Sequence, residues 1–345
     1  MGEDTRYDES HRQIMTYAEA LRWAMDQSLA NDPRVLLLGE DIGLFGGAFG
    51  VTAGLLDKYG PQRVRDTPIA EAGIVAAGIG AAMMGMHPVV EIQFSDFLAN
   101  AMDPIVNQAA KAHFMFGGTI TVPLVIRAPF GGGAGLAAQH SQSFEAWFYH
   151  VPGLKVVVPG TPDDARGLLL AALADPNPVI VFEHKLLYSH RDEVQLSVTP
   201  LRLGQAVVRR TGRDATVVSY SLMSHRVLEA AQRLHHEDID LEVIDLRSLV
   251  PLDIRTIQQS VAKTGRLVIC HEAVRRGGVG ADIVAQLMES DTFDHLDTPI
   301  LRIAALDSPI PYSPVLERAV LPHVDSIVES IRVWWQKEVK THGGA

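Results

Sequence analysis

Short apolar runs alternate with stretches of helical spacing along most of the chain. RVLLLG after Asp32-Pro33, then Val64, Val89 to Phe94, Val122 to Ala128, Leu154 to Val158 and Val179 to Phe182 read as buried strands. Between them, Tyr17 to Ala30, Ile74 to Met84, Phe97 to Phe116 and Asp163 to Leu173 carry apolar residues at helical period. A parallel sheet covered on both faces follows, because crossover helices return the chain to the same sheet edge. From Tyr188 to Pro200 the pattern lapses into polar SHRDEVQLSVTP, which predicts a linker over 188–203. A second set then begins, with strands at Gln205 to Val208, Thr216 to Ser219, Leu241 to Asp245, Leu267 to His271 and Ile300 to Ile303. Its helices fall near Ser224 to Leu234, Asp253 to Val261, Gly280 to Glu289 and Asp325 to Trp335. The expected fold class is α/β, with two doubly wound domains over 13–187 and 204–336 between polar tails at 1–12 and 337–345.

The length of 345 residues suits two domains at roughly 150 residues each. With 47% hydrophobic and 21% charged residues the chain reads as a soluble globule. Thirty basic against 41 acidic side chains leave a net charge of −11, which disfavours nucleic acid as a partner. A single cysteine, Cys270, excludes an internal disulfide framework and a cysteine-based zinc site. The opening MGEDTRYDESHRQ lacks the basic-then-apolar order of a signal peptide, so a cytoplasmic protein is expected. Ala72 to Val90 is uncharged over about 19 residues, near a membrane-spanning length. Its repeated glycines and Pro88 favour a buried helix followed by a buried strand.

Three common chemistries lack their markers: there is no GxxxxGK[ST] loop, GxSxG elbow or HExxH helix, and His271-Glu272 lacks the second histidine. Gly133 to Ala138 matches a loose GxGxxA dinucleotide fingerprint after an apolar strand. No acidic strand end follows about twenty residues on, so a tight turn or active-site loop is the better expectation and a nicotinamide site the weaker one. Carboxylates gather at predicted strand ends: Glu40 and Asp41 close RVLLLG, and Glu71 opens the Gly/Ala-rich helix. Ligands of α/β sheets collect at those ends. Glu71 has almost only apolar neighbours, where a carboxyl group persists with a specific partner or as a helix N-terminal anion. His140 follows the glycine-rich loop and suits a proton donor or acceptor, or a capping or surface histidine beside Ser141 and Ser143.

Long runs then carry a resemblance: GEDIGLFGGAFGVTAGL, KYGPQRVRDTPIAEAGIVAAGIGAAMMGMHPVVEIQFSDF, GGGAGLAAQHSQSFEAWF, DPNPVIVFEHKLLY, VIDLRSLVPLD and HEAVRRGGVGADIV. Over Gln13 to about Val333 the sequence resembles the β subunit of the thiamine diphosphate dependent decarboxylase component of 2-oxo acid dehydrogenase complexes, a transketolase-like family. The resemblance implies that Glu71 hydrogen-bonds the aminopyrimidine ring of the cofactor and favours its imino tautomer, so that the ring's amino group can remove the thiazolium proton. It matches Phe97 to the ring-stacking position, sets Gln93 on the same approach, and matches His140 to a channel histidine that assists acyl transfer to a lipoyl group. The family holds Mg²⁺ through a GDG segment, which this chain lacks. An α subunit in an α₂β₂ heterotetramer, carrying the metal, is therefore implied, along with a lipoyl acyltransferase core. A K⁺ site is implied at Leu124, Ala172, Asp175 and Asn177. Pyruvate is the expected substrate, with branched-chain 2-oxo acids and acetoin as alternatives.

Overall fold

The computed structural model describes residues 12–338. The expected tails fall largely outside them, apart from Arg12, which opens a strand, and Lys337 and Glu338, which end the last helix. Seven strands form the first sheet, in the order Ser248–Val250, Lys155–Val157, Val179–His184, Val125–Phe130, His87–Glu91, Val35–Gly39, Val64–Asp66. All pairings among the last six are parallel. The second sheet runs Leu301–Ala305, Leu267–Val274, Ala215–Ser219, Leu241–Asp245, Val207–Arg210, parallel except for its last member. The doubly wound α/β architecture is as the pattern predicts.

Local chemistry sets the helices on these sheets. Thr16 and Glu19 form a reciprocal capping box that starts Tyr17–Asn31. Helix Glu71–Met83 buries Ile74, Val75, Gly78, Ile79 and Ala82. A Cβ at Gly78 would stand 2.8 Å from Val90 Cγ1 and 3.0 Å from Leu124 Cδ1, so glycine lets this helix lie close to the strands. No helix among the described residues is long and apolar enough to cross a membrane.

Three segments depart from the pattern. The helix expected over Phe97 to Phe116 is three pieces: a 3₁₀ turn at Ser95–Ala101, a π-type turn at Pro104–Ala109 and a short α-helix at Ala110–Met115. Pro104 cannot donate a backbone hydrogen bond and interrupts the ladder. Within the polar stretch after Tyr188, Arg191–Gln195 pairs antiparallel with Arg12–Thr16 as a two-stranded ribbon. Only Val194 of that strand is buried, so it carries no core-facing alternation. Finally, Ser248–Val250 leaves the second domain and pairs antiparallel with Lys155–Val157 of the first.

The two units are joined by more than this strand. One buried cluster runs from Ile126 and Phe182 in the first to Tyr220, Ile244, Ile269 and Ile283 in the second. Across the same boundary Asp164 pairs with Arg209 and, at 3.2 Å, with Arg247, while within the second unit Arg209 also reaches Asp245 at 3.0 Å. Tyr220 donates to Glu145 at 2.7 Å.

Candidate active site

Every site candidate of the first domain, the cation set excepted, follows the carboxyl end of a parallel strand. Glu40 and Asp41 come after Val35–Gly39, Glu71 after Val64–Asp66, Gln93 after His87–Glu91, and His140 on the loop after Val125–Phe130. A parallel sheet gathers these loops on one edge. A hollow of about 440 Å³ lined by Asn31, Asp32, His87 and Leu173 includes Val35 and His87, the first residues of two strands, and so belongs to the opposite edge.

Glu71 is the first residue of its helix and is 9% exposed. It accepts from Asn100 Nδ2 at 3.4 Å, and among the described residues no cation pairs with it. Burial, with Glu71 and Asp41 nearby, raises the Glu40 carboxyl above the usual carboxylate range. Asn100 belongs to the turn Ser95–Ala101, which also carries Phe97 and packs on the Glu71 helix. A buried carboxyl group with one long hydrogen bond has capacity for a further polar partner.

Aromatic contacts bring Phe97 and His140 together. The His140 ring meets Phe97 edge-on at 5.3 Å and Phe94 at 4.7 Å, and Phe94 meets Phe97 at 5.8 Å. Phe94 continues to Phe49 at 5.9 Å, which stacks on buried Tyr188 at 4.9 Å. The ring cluster is thus anchored in the core. Gln93 is half-buried beside Phe94.

Beneath these loops Arg127 is buried between two carboxylates. Its Nε and Nη2 donate to Glu183 at 2.7 Å each, and Nη1 donates to Glu91 Oε2 at 2.5 Å. Tyr188 donates to the same Glu183 at 2.8 Å. Burial drives the Glu91 carboxyl upward despite Arg127, as expected where one cation serves two acids.

Several residues of the site were missed in the sequence. Lys185, directly after Val179–His184, is buried, donates to the His140 carbonyl and lies 5.3 Å from the centre of the Phe94 ring. Burial pulls its ammonium down to about 8, against the opposing pull of Asp96, Glu272 and Glu317. Its signal was available, since it follows a strand end as Glu40 does. Asp96 accepts from Gln142 Nε2 at 2.8 Å and so ties the Phe97 turn to the His140 loop. Glu272 and Glu317 come from the second domain and reach the same loop.

The loose dinucleotide fingerprint is excluded as a phosphate cradle. No helix begins in Gly133 to Ala138, the next being Glu145–Tyr149, and the Gly133 and Gly135 amides already donate to the Glu317 carboxylate. The positions of the implied K⁺ set lie apart from the site: Leu124 precedes the start of Val125–Phe130. Leu124 O accepts from Val179 N at 2.9 Å and Ala172 O from Asp175 N at 3.3 Å, each carbonyl keeping a second lone pair. The Asp175 carboxylate is taken by Lys155 and by Asn177 N at 3.0 Å, so this residue would offer its carbonyl.

These paired α/β units and their common edge define a transketolase-like protein: residues 13–191 match the transketolase pyrimidine-binding domain, and residues 204–327 match the transketolase C-terminal domain. A solved chain described as a split gene transketolase, inactive beta4 tetramer, shares the fold with a TM-score of 0.78 at 22% identity, over 94% of this chain and 99% of that one. The pyruvate dehydrogenase E1 component subunit beta-2, mitochondrial, of Oryza sativa subsp. japonica is 47% identical over 322 residues, 92% of this chain and 85% of that relative. The corresponding subunit beta of Rickettsia conorii (strain ATCC VR-613 / Malish 7) is 43% identical over 318 residues, 92% of this chain and 97% of the relative. The chain belongs to the family of pyruvate dehydrogenase E1 β subunits.

Proposed function

We propose that the chain is the β subunit of a pyruvate-decarboxylating, acetyl-transferring enzyme that uses thiamine diphosphate and a lipoyl acceptor. The observation that carries this reading is buried Glu71, without a cation partner among the described residues and beside the turn bearing Phe97, in a chain of this family. Glu71 and Gln93 would hold the polar edge of the pyrimidine, with Phe97 against its face. Thiamine diphosphate, when bound, supplies the carbon nucleophile. A Glu71 carboxyl oxygen would share a hydrogen bond with the ring, in a pocket where exclusion of water strengthens that bond. Phe94 and Phe97 hold the His140 ring edge-on, and that ring would orient the transfer and give a proton to the lipoyl sulfur released as the S–S bond opens and the other sulfur takes the acyl carbon.

One chain supplies half of such a site. Leu44, Phe45 and Ile69 expose 76%, 72% and 82% of their surface on the loops flanking Glu40 and Glu71. Gly43 N and Leu44 N donate to Asp66, which draws these loops side by side. An exposed apolar rim of this kind suits a macromolecular partner, and the reading assigns an α subunit there, carrying Mg²⁺ and the diphosphate, in an α₂β₂ assembly that serves a lipoyl acyltransferase core. The reading also sets the enzyme in the cytoplasm, in keeping with its single, buried, free Cys270.

The test is co-purification with the partner chain and measurement of CO₂ release from pyruvate and 2-oxoisovalerate, with aldehyde release from acetoin alongside. Pyruvate turnover abolished by Glu71→Ala, with assembly intact, supports the assignment. Preferential acetoin cleavage, or full turnover in Glu71→Ala, overturns it.

A further inference from the structure

We propose that Glu272 and Glu317, on the second domain, are positioning residues for His140, acting through the glycine-rich loop that carries it. The inference rests on the role given to His140 above and adds a part for the second domain in the chemistry.

The loop between Phe130 and His140 has little stiffness of its own. Gly131, Gly133, Gly135 and Ala137 all have positive φ, and glycine retains the most backbone freedom to lose on ordering. Its order comes from outside. Glu272 Oε1 accepts from Gly132 N at 2.7 Å, Glu317 Oε1 from Gly133 N at 2.7 Å, and Glu317 Oε2 from Gly135 N at 3.1 Å. Both carboxylates are 3% exposed, and bonds to an ionised acceptor in such surroundings are short and strong.

Glu272 is itself fixed. It faces His184 Nε2 at 3.1 Å and Arg226 at 3.8 Å, and a Cβ at Gly131 would overlap the same His184 ring. Burial alone would raise the Glu272 carboxyl, yet His184, Arg226 and the Gly132 amide hold it below the usual carboxylate range. Lys185 fastens the far end of the loop at the His140 carbonyl, within the field of both acids. The His140 ring is then delivered against Phe94 and Phe97. If the clasp opens, the loop gains freedom where a misplacement of about 1 Å can cost about a hundredfold in rate.

The experiment uses the enzyme assembled with its partner chain. Glu317→Ala and the milder Glu317→Gln are made in the native sequence and again with His140→Ala. Acylation of lipoamide, CO₂ release with an artificial electron acceptor, and amide hydrogen exchange of the 131–140 peptide are measured. Glu317→Ala is expected to lower lipoamide acylation roughly 10- to 100-fold. Glu317→Gln should fall between, because its amide nitrogen cannot accept from Gly135. Added to His140→Ala, either change should cost less than about twofold further, since residues acting as one unit are non-additive. Exchange over 131–140 should quicken while Val125–Phe130 is unchanged. The same fold-loss in both backgrounds, or quickened exchange with full acylation, overturns the clasp and leaves the His140 role standing. Full acylation in His140→Ala alone overturns that role and the clasp with it.

Discussion

Replacing Arg127 by methionine keeps most of its volume and removes its charge. Three charge-assisted hydrogen bonds disappear, leaving Glu183, 0% exposed, and Glu91, 4% exposed, facing each other without a cation. Two carboxylates so placed cannot both stay ionised, and the cheapest relief is to protonate one. From an ordinary glutamate value near 4.3, taking up one proton at pH 7 costs about 3.7 kcal/mol. That agrees with the ~3–5 kcal/mol found when one partner of a buried ion pair is removed. The destabilisation therefore has a pH signature. The folded variant binds about one proton more than its unfolded chain, so its stability falls as pH rises, by about 1.4 kcal/mol per pH unit. Urea unfolding at pH 5.5, 7 and 8 should show the deficit growing across the series. Adding Glu91→Gln and Glu183→Gln should remove that dependence. A deficit below about 1 kcal/mol at pH 7, or one that does not change with pH, would show that the pair is not the buried charge balance inferred here.

Burial lifts the Glu145 carboxyl to about 7, with Tyr220 as its partner. Its folded value lies above the unfolded one, so the stability it contributes is complete below about pH 4.3 and fades as pH rises toward 7. Glu145→Gln should then melt higher than the native protein at pH 8 and close to it at pH 5; parallel pH profiles would refute this. If K⁺ binds the Leu124 and Ala172 carbonyls, potassium at tenfold its dissociation constant should stabilise the protein by about 1.4 kcal/mol over lithium at equal ionic strength. Identical melting curves in the two salts would remove the site. A fragment ending at residue 203 loses the strand paired with Lys155–Val157 and both arginines on buried Asp164. It is expected to lack a cooperative melt, and a sharp transition in near-ultraviolet circular dichroism would contradict that.

What the sequence made legible follows from how local each signal is. Glu71, Phe97 and His140 lie in long motifs that can be read in order, and Glu40 is marked simply by closing an apolar run. Lys185 carries the same strand-end mark in FEHKLLY, but a lysine after a strand is most often solvated, so the mark does not distinguish it. Glu272 and Glu317 were beyond reach, since they lie 140 and 184 residues from the amides they bind, and no local pattern encodes such a pairing. The ribbon strand Arg191–Gln195 was hidden because exposure on both faces erases period two, and the helix expected over Phe97 to Phe116 was broken by Pro104.

The exchanged strand bears on why the second domain belongs to the site. Arg247 O accepts from Val158 N at 2.8 Å, and Ser248 and Val250 pair with Val157 and Val156, so the first sheet ends on a strand from the second unit. Glu272 lies near the carboxyl end of Leu267–Val274, and its hold on Gly132 brings that edge of the second sheet to the edge of the first that carries His140. A mobile hinge between the units would cost Gly132, Gly133 and Gly135 their anchors while Lys185 still held the His140 carbonyl, whereas the shared strand, the Asp164 arginine pairs and the common core hold the two edges in register. A loop built from glycines can follow any scaffold it is bonded to, and here that scaffold is shared between Lys185 of the first domain and the two carboxylates of the second, so the position of His140 depends on the packing between the domains as well as on the loop itself.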